Sequence, residues 1–94
     1  MSATLRKIAT VPLGHTVLTR GASIELSLGT IMKCLERHRL CDWGELCQED
    51  REANDRSLQN GERILSAYSE GTTKFWIITE RDRFSTTILL PEEY

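Results

Sequence analysis

The sequence predicts an α+β fold, with short helices packed on an antiparallel sheet whose last part is a C-terminal three-stranded meander. Three observations carry this. Residues 61–94 hold three runs rich in β-branched, aromatic and aliphatic side chains, at 63–69, 74–79 and 85–90. The connectors between them, Glu70-Gly71-Thr72 and Arg81-Asp82-Arg83, are too short for the crossovers that parallel neighbours need. Upstream the apolar spacing turns helical, with Ile31, Cys34, Leu35 and His38 at i, i+3, i+4 and i+7.

In chain order, residues 1–10 read as a lead-in and 15–19 as one strand, with Val17 and Leu18 as its apolar contacts. Arg20-Gly21-Ala22 is expected to break that strand. Ser23 is the expected N-cap of a short helix stopping at Gly29, and Thr30 the expected N-cap of the next. Cys41-Asp42-Trp43-Gly44 forms a connector. A third helix over 46–59 ends at Asn60-Gly61, held at its start by Trp43 and Leu46 because its own apolar face is thin. The length, 94 residues, suits a single domain with one modest core. Trp43, Ile64, Tyr68, Phe75, Ile77 and Ile88 are the expected core.

Strand alternation places Phe75, Ile77 and Thr79 on one face and Trp76, Ile78 and Glu80 on the other, while Thr86, Ile88 and Leu90 oppose Ser85, Thr87 and Leu89. Large apolar groups therefore fall on both faces of the sheet, and three short helices cover only one. The outer face, carrying Trp76, Ile78 and Leu89, calls for a protein partner or a second copy; wrapping by residues 4–14 is the alternative.

Apolar residues at 39% and charged residues at 28% are ordinary for a globular chain. No apolar run has the length to span a bilayer and the N-terminus lacks the apolar core of a secretory signal, so the expected compartment is the cytoplasm, without membrane association. Three cysteines fit reduced thiols. The net charge of −2 gives no general pull toward nucleic acid, and direct nucleic-acid binding is not expected. Between residues 42 and 55, however, Asp42, Glu45, Glu49, Asp50, Glu52 and Asp55 face a single base, Arg51. Such a helix is either a solvated face or a docking face for a basic protein.

Motifs for chemistry are sparse. Cys34-x3-His38-x2-Cys41-x5-Cys47 is the one arrangement resembling a metal site, but it lacks the close cysteine pairs of structural zinc sites and reads as a buried Cys34, a half-buried His38 and two incidental thiols. No metal or other cofactor is expected. There is no nucleophile elbow, Ser-x-x-Lys pair or phosphate-binding glycine loop, and the six glycines are isolated. Glu92-Glu93 reads as solvated. At Arg81-Asp82-Arg83, Asp82 is expected to cap the turn with both arginines in solvent.

The pattern Arg37-His38, Asp42-Trp43-Gly44-Glu45, Glu49-Asp50, Asn54-Asp55, Gly61, Arg63-Ile64-Leu65-Ser66-Ala67-Tyr68, Trp76-Ile77-Ile78-Thr79-Glu80, Asp82-Arg83, Thr86-Thr87 and Leu89-Leu90-Pro91-Glu92-Glu93-Tyr94 resembles a family of small plasmid and mobile-element proteins of unknown function. Members are often labelled "type I restriction endonuclease subunit M" or "plasmid-related protein". The resemblance covers residues 12–94, and Cys41 stands where the family pattern has glycine. The methyltransferase label does not suit this chain, which holds neither a cofactor-binding doubly wound sheet nor an Asn/Asp-Pro-Pro-aromatic loop.

The mobile-element setting implied by the resemblance points to a non-enzymatic protein-binding module acting in counter-defence, as an anti-CRISPR or anti-restriction inhibitor of a host nuclease-defence subunit. The expected contact residues are Glu45, Glu49, Asp50, Glu52 and Asp55 on the acidic helix and Trp76, Ile78 and Leu89 on the outer sheet face. A charge of −2 is low for mimicry of DNA, which favours plugging a protein surface. One alternative is a ribosome-dependent endoribonuclease toxin, with Arg63, Lys74, Arg81, Arg83, Tyr68 and Tyr94 in catalytic roles; its requirement for a basic footprint counts against it. The other is a homodimeric accessory protein.

Overall fold

The structure, a computed structural model, describes residues 9–94. Its order is β1 (His15–Leu18), α1 (Arg20–Glu25), α2 (Leu28–Arg39), α3 (Gln48–Asn60), β2 (Ile64–Glu70), β3 (Thr73–Thr79), β4 (Ser85–Leu89) and a 3-10 turn, Pro91–Glu93. The fold is α+β. Strands β2, β3 and β4 form the expected antiparallel meander, and β1 extends it to a mixed four-stranded sheet of order β1-β4-β3-β2 by pairing parallel to β4. Gly71 leads the two-residue β2–β3 turn at φ 59°, the backbone sign a type II′ hairpin requires at that position.

The inward residues of the meander alternate as the period of two demands. Ile64, Ser66 and Tyr68, then Phe75, Ile77 and Thr79, then Thr86 and Ile88 are all at most 1% exposed. Ala22 and Leu26 of the α1 segment and Ile31 and Cys34 of α2 close over Tyr68, Phe75, Ile77, Ile88 and Leu90. A second cluster joins Val11, Trp43 and Ile64, with Leu13, Leu46 and Leu58 packed against it. Residues 9–14 thus contribute Val11 and Leu13 to the core beneath Trp43. The alternative of wrapping by residues 4–14 falls partly outside the described residues.

The helix starts differ from expectation. Arg20-Gly21-Ala22 begins α1, and its cap is Thr19, whose Oγ1 accepts from the Ala22 amide at 3.3 Å. The selecting partner lies far along the chain. The Glu93 carboxylate accepts from the Thr19 hydroxyl at 2.6 Å and the Gly21 amide at 2.8 Å, and a Cβ on Gly21 would stand 2.6 Å from it. Gly29 lies inside α2, which Ser27 caps instead of Thr30, and Glu70 at the end of β2 accepts from the Ser27 amide at 2.9 Å. Glu93 is therefore bound to the fold where solvation was expected. These bonds hold the Glu93 and Glu70 carboxyls below their ordinary range, led by Thr19 for the first and the Ser27 amide for the second. The third helix starts at Gln48, with Cys47 as its N-cap, and stops at Gly61 as expected.

Helix α2 ends in a Schellman motif: the Cys41 amide bonds to the His38 carbonyl at 3.0 Å and the Asp42 amide to that of Arg37 at 2.8 Å. This puts Cys41 at φ 66°, where an L side chain costs about 1–2 kcal/mol. Its thiol packs only partly against the Val11–Trp43 cluster. Cys41→Gly is expected to stabilise the fold by roughly 0.5–1 kcal/mol, read from urea midpoints at unchanged m. A midpoint at or below that of the parent would show that thiol packing outweighs backbone strain.

Candidate functional site

Helix α3 lies along the free edge of β2, and the contacts that hold it there explain much of the motif pattern. The Asn54 side-chain amide donates to the Leu65 carbonyl at 2.6 Å, and its oxygen accepts from the Leu65 amide at 3.3 Å. Two residues on, the Glu45 amide bonds to the Ala67 carbonyl at 2.8 Å and the Ala67 amide to the Trp43 carbonyl at 3.3 Å. The outward backbone groups of Leu65 and Ala67 are thereby satisfied, and this part of the edge cannot accept another strand. Trp43, 5% exposed, donates its indole N–H to Asp55 at 2.9 Å. Arg37 pairs through two nitrogens with Asp42, lies 4.9 Å over the Tyr68 ring, and keeps the Asp42 carboxyl below its usual range.

The five acids expected to form a contact surface divide into two kinds. Glu45 accepts from Ser69 Oγ at 2.8 Å, Asp55 from Trp43, and Glu52 from Gln48 at 3.1 Å. Glu49 and Asp50 stand exposed in the first turn of α3, where a carboxylate also complements the helix dipole. None of the five forms a salt bridge among the described residues, whose ion pairs are Arg37–Asp42, Arg39–Glu36 and Arg63–Glu80. Arg51, the nearest base in sequence, donates to the carbonyls of Leu46 at 3.0 Å and Gly44 at 2.8 Å. Of these acids Asp50 borders a groove of about 230 Å³ between α3 and β2, lined also by Leu46, Ala53, Asn54 and Leu65.

The outer sheet face differs from expectation. Ile78 and Leu89 are 3% and 6% exposed and Trp76 is half-buried, so the first two do not present a surface. Their strand neighbours supply part of the cover: Ile78 pairs with Leu65 and Thr87, and Leu89 with Trp76. The C-terminal turn adds to it by packing on β3, with the Tyr94 ring edge-on to Trp76 at 5.6 Å and the Arg63 guanidinium 5.5 Å over Tyr94.

A buried polar chain was missed at the sequence level. His38, expected to be half-buried, is 0% exposed, as are Ser66, Thr79 and Thr86. His38 Nδ1 lies 2.6 Å from Ser66 Oγ and Nε2 lies 2.8 Å from Thr79 Oγ1. Thr79 Oγ1 is 2.7 Å from Thr86 Oγ1, which donates to the Leu13 carbonyl at 2.7 Å. Counting protons assigns every bond. Thr86 uses its hydrogen on Leu13, so Thr79 must donate to Thr86, and His38 Nε2–H must donate to Thr79. Nδ1 is left as the acceptor of the Ser66 hydroxyl. The imidazole is thus neutral, and burial first, then the Arg83 charge, lower its pKa from 6.5 to about 4. The available signal was parity: Ser66, Thr79 and Thr86 occupy inward strand positions where apolar residues are the rule.

With both ring nitrogens engaged, His38 has no lone pair for a metal, and no cluster of three or more ligating side chains occurs among the described residues. Cys34 is buried, which raises its thiol pKa, Cys41 is half-buried and Cys47 is exposed. Of the six side chains cast for RNA cleavage, Tyr68, Arg83, Arg63 and Tyr94 are similarly committed, while Lys74 and Arg81 are exposed. Tyr68, 1% exposed, donates to the Asp42 carbonyl at 2.6 Å, and burial pushes its pKa up. Arg83 donates to the carbonyls of Glu62, Glu80 and Ser57 rather than standing in solvent. Arg63 is bonded to Tyr94 and Glu80. Asp82 caps its turn, as expected, by accepting from the Phe84 amide at 2.9 Å.

No protein-family model, curated protein or solved structure matches the chain. No helix among the described residues is long and apolar enough to cross a membrane.

Proposed function

We propose that the chain is a non-enzymatic protein-binding module that docks through the acidic face of α3, and that its target is a subunit of a host nuclease-defence system. The observation that carries the docking face is the pair of exposed first-turn carboxylates of α3, Glu49 and Asp50, which have no salt-bridge partner among the described residues, with Asp50 lining an apolar groove. No fully buried side-chain nitrogen or oxygen among the described residues lacks a hydrogen-bond partner, so the interior polar groups serve the fold. The choice of target rests on the resemblance to mobile-element proteins.

Glu49 and Asp50 give the cleanest test because neither supports a buried partner, whereas Asp55 holds Trp43. The double variant Glu49→Lys, Asp50→Lys is expected to stay folded, with a small loss from the helix dipole, and to bind its partner roughly tenfold or more weakly, with a reduced salt dependence. Native sizing, circular dichroism and titration with the partner read both effects. Unchanged affinity would remove this helix as the interface. In cells, the parent chain is expected to be harmless alone and to protect incoming phage or plasmid DNA from a resident nuclease. Growth arrest on expression alone would favour a toxin instead.

A further inference from the structure

We infer that the groove between α3 and β2 seats a basic amphipathic helix of the partner, an inference that rests on the protein-binding reading above. The walls are apolar: Leu46 on the approach to α3, Ala53 on the helix and Leu65 on the strand. Asn54 closes the groove with both amide atoms already bonded to the Leu65 backbone, so this residue offers a fixed surface and no spare hydrogen bond. The volume of about 230 Å³ has room for one or two aliphatic side chains.

The mode of docking follows from what is already occupied. An added strand needs free backbone groups on the sheet edge, and those of Leu65 and Ala67 are taken by Asn54, Trp43 and Glu45. Recognition must come through side chains, which is how a groove takes an amphipathic helix. The sign of charge comes from the rim. Asp50 lines the groove, and Glu49 lies one helical turn before Ala53 on the same stripe. Neither carries a counter-ion among the described residues, and Arg51 is held by the backbone of Leu46 and Gly44. A helix with leucines one turn apart, flanked by lysine or arginine, satisfies both walls and rim. An acidic segment or a phosphate backbone is repelled.

The test uses nitrogen-15-labelled full-length protein and two synthetic peptides, one of repeated Leu-Lys-Lys-Leu units and its counterpart with glutamate for lysine. The expected result is saturable movement of the Leu46, Ala53, Asn54 and Leu65 amide signals with the basic peptide and none with the acidic one. Ala53→Arg, which fills the groove and reverses its charge, should weaken the basic peptide at least tenfold while the other amide signals keep their positions. Shifts scattered over other acidic surfaces, equal binding by Ala53→Arg, or movement of the same signals on dilution without peptide would each overturn the inference; the last would identify a second copy as the occupant. The two readings fail separately. A natural partner that binds Ala53→Arg as well as the parent removes the groove and leaves the module reading. Peptide seated in the groove, with neither partner nor DNA protection found in cells, leaves the groove and removes the module reading.

Discussion

His38→Ala is expected to destabilise the fold by about 3–5 kcal/mol, a large share of what a domain of this size possesses. The imidazole is 0% exposed and joins α2 to β2 and β3, with Thr86 and the Leu13 carbonyl next in the chain of hydrogen bonds. Its removal leaves the Ser66 hydroxyl without an acceptor and Thr79 without a donor, at about 1–3 kcal/mol for each unsatisfied buried group, and it opens a cavity beside Trp43, whose ring lies 6.0 Å away. Urea unfolding measures the loss. A change below about 1 kcal/mol would mean that the network contributes little beyond filling space.

The same residue sets the pH dependence. Its pKa falls from 6.5 to about 4 on folding, so between those values the unfolded chain binds a proton that the native state refuses. Stability therefore rises with pH across that window and is lost on acidification through it, by about 1.4 kcal/mol per unit and about 3 kcal/mol in all. Asp42, Glu70 and Glu93 act further down: their folded pKa values are depressed, so their contribution is present above the ordinary carboxylate range and lost as pH falls through the folded values. In the His38→Ala variant the slope between pH 6.5 and 4 should flatten while the carboxylate region remains. An unchanged slope would assign the titration to other groups.

Gly44→Ala is the second substitution with a large expected cost, about 3–4 kcal/mol. Gly44 has φ 76°, and a Cβ there would stand 2.0 Å from the Ala67 carbonyl oxygen and 2.8 Å from the Tyr68 ring. Backbone on one side and a fully packed ring on the other leave nothing that can give way. Relief requires Trp43-Gly44-Glu45 to withdraw from β2, which breaks the two hydrogen bonds to Ala67 and exposes the strand edge to pairing with other chains. The variant should melt earlier and aggregate on heating. Gly29→Ala is the matched control: it lies inside α2 with nothing within 4 Å of its would-be Cβ, and should gain about 0.5–1 kcal/mol. Equal effects at the two glycines would contradict the difference in their surroundings.

The meander, the one-faced helical stripe of Ile31, Cys34, Leu35 and His38 and the stop at Gly61 were legible in the sequence because each is a local pattern, whereas the complete burial of His38 was not. Period two, period 3.6 and a left-handed glycine need no knowledge of what lies across the fold. The expected core of Trp43, Ile64, Tyr68, Phe75, Ile77 and Ile88 follows from the same alternation, and all six are buried. Local rules failed where a distant group decided. Thr19, not Ser23, caps α1 because Glu93 arrives there from the other end of the chain, and Ser27, not Thr30, caps α2 because Glu70 arrives from β2. β1 joined β4 in parallel through a pairing that a four-residue strand cannot announce. Among the acids, only tertiary structure separated Asp55, bound to Trp43, from Glu49 and Asp50, which stand free of such a duty. The sequence determined which residues could be buried; packing determined which polar group met which, since a hydrogen-bond partner is chosen by distance in space and the chain encodes that distance only through the whole fold.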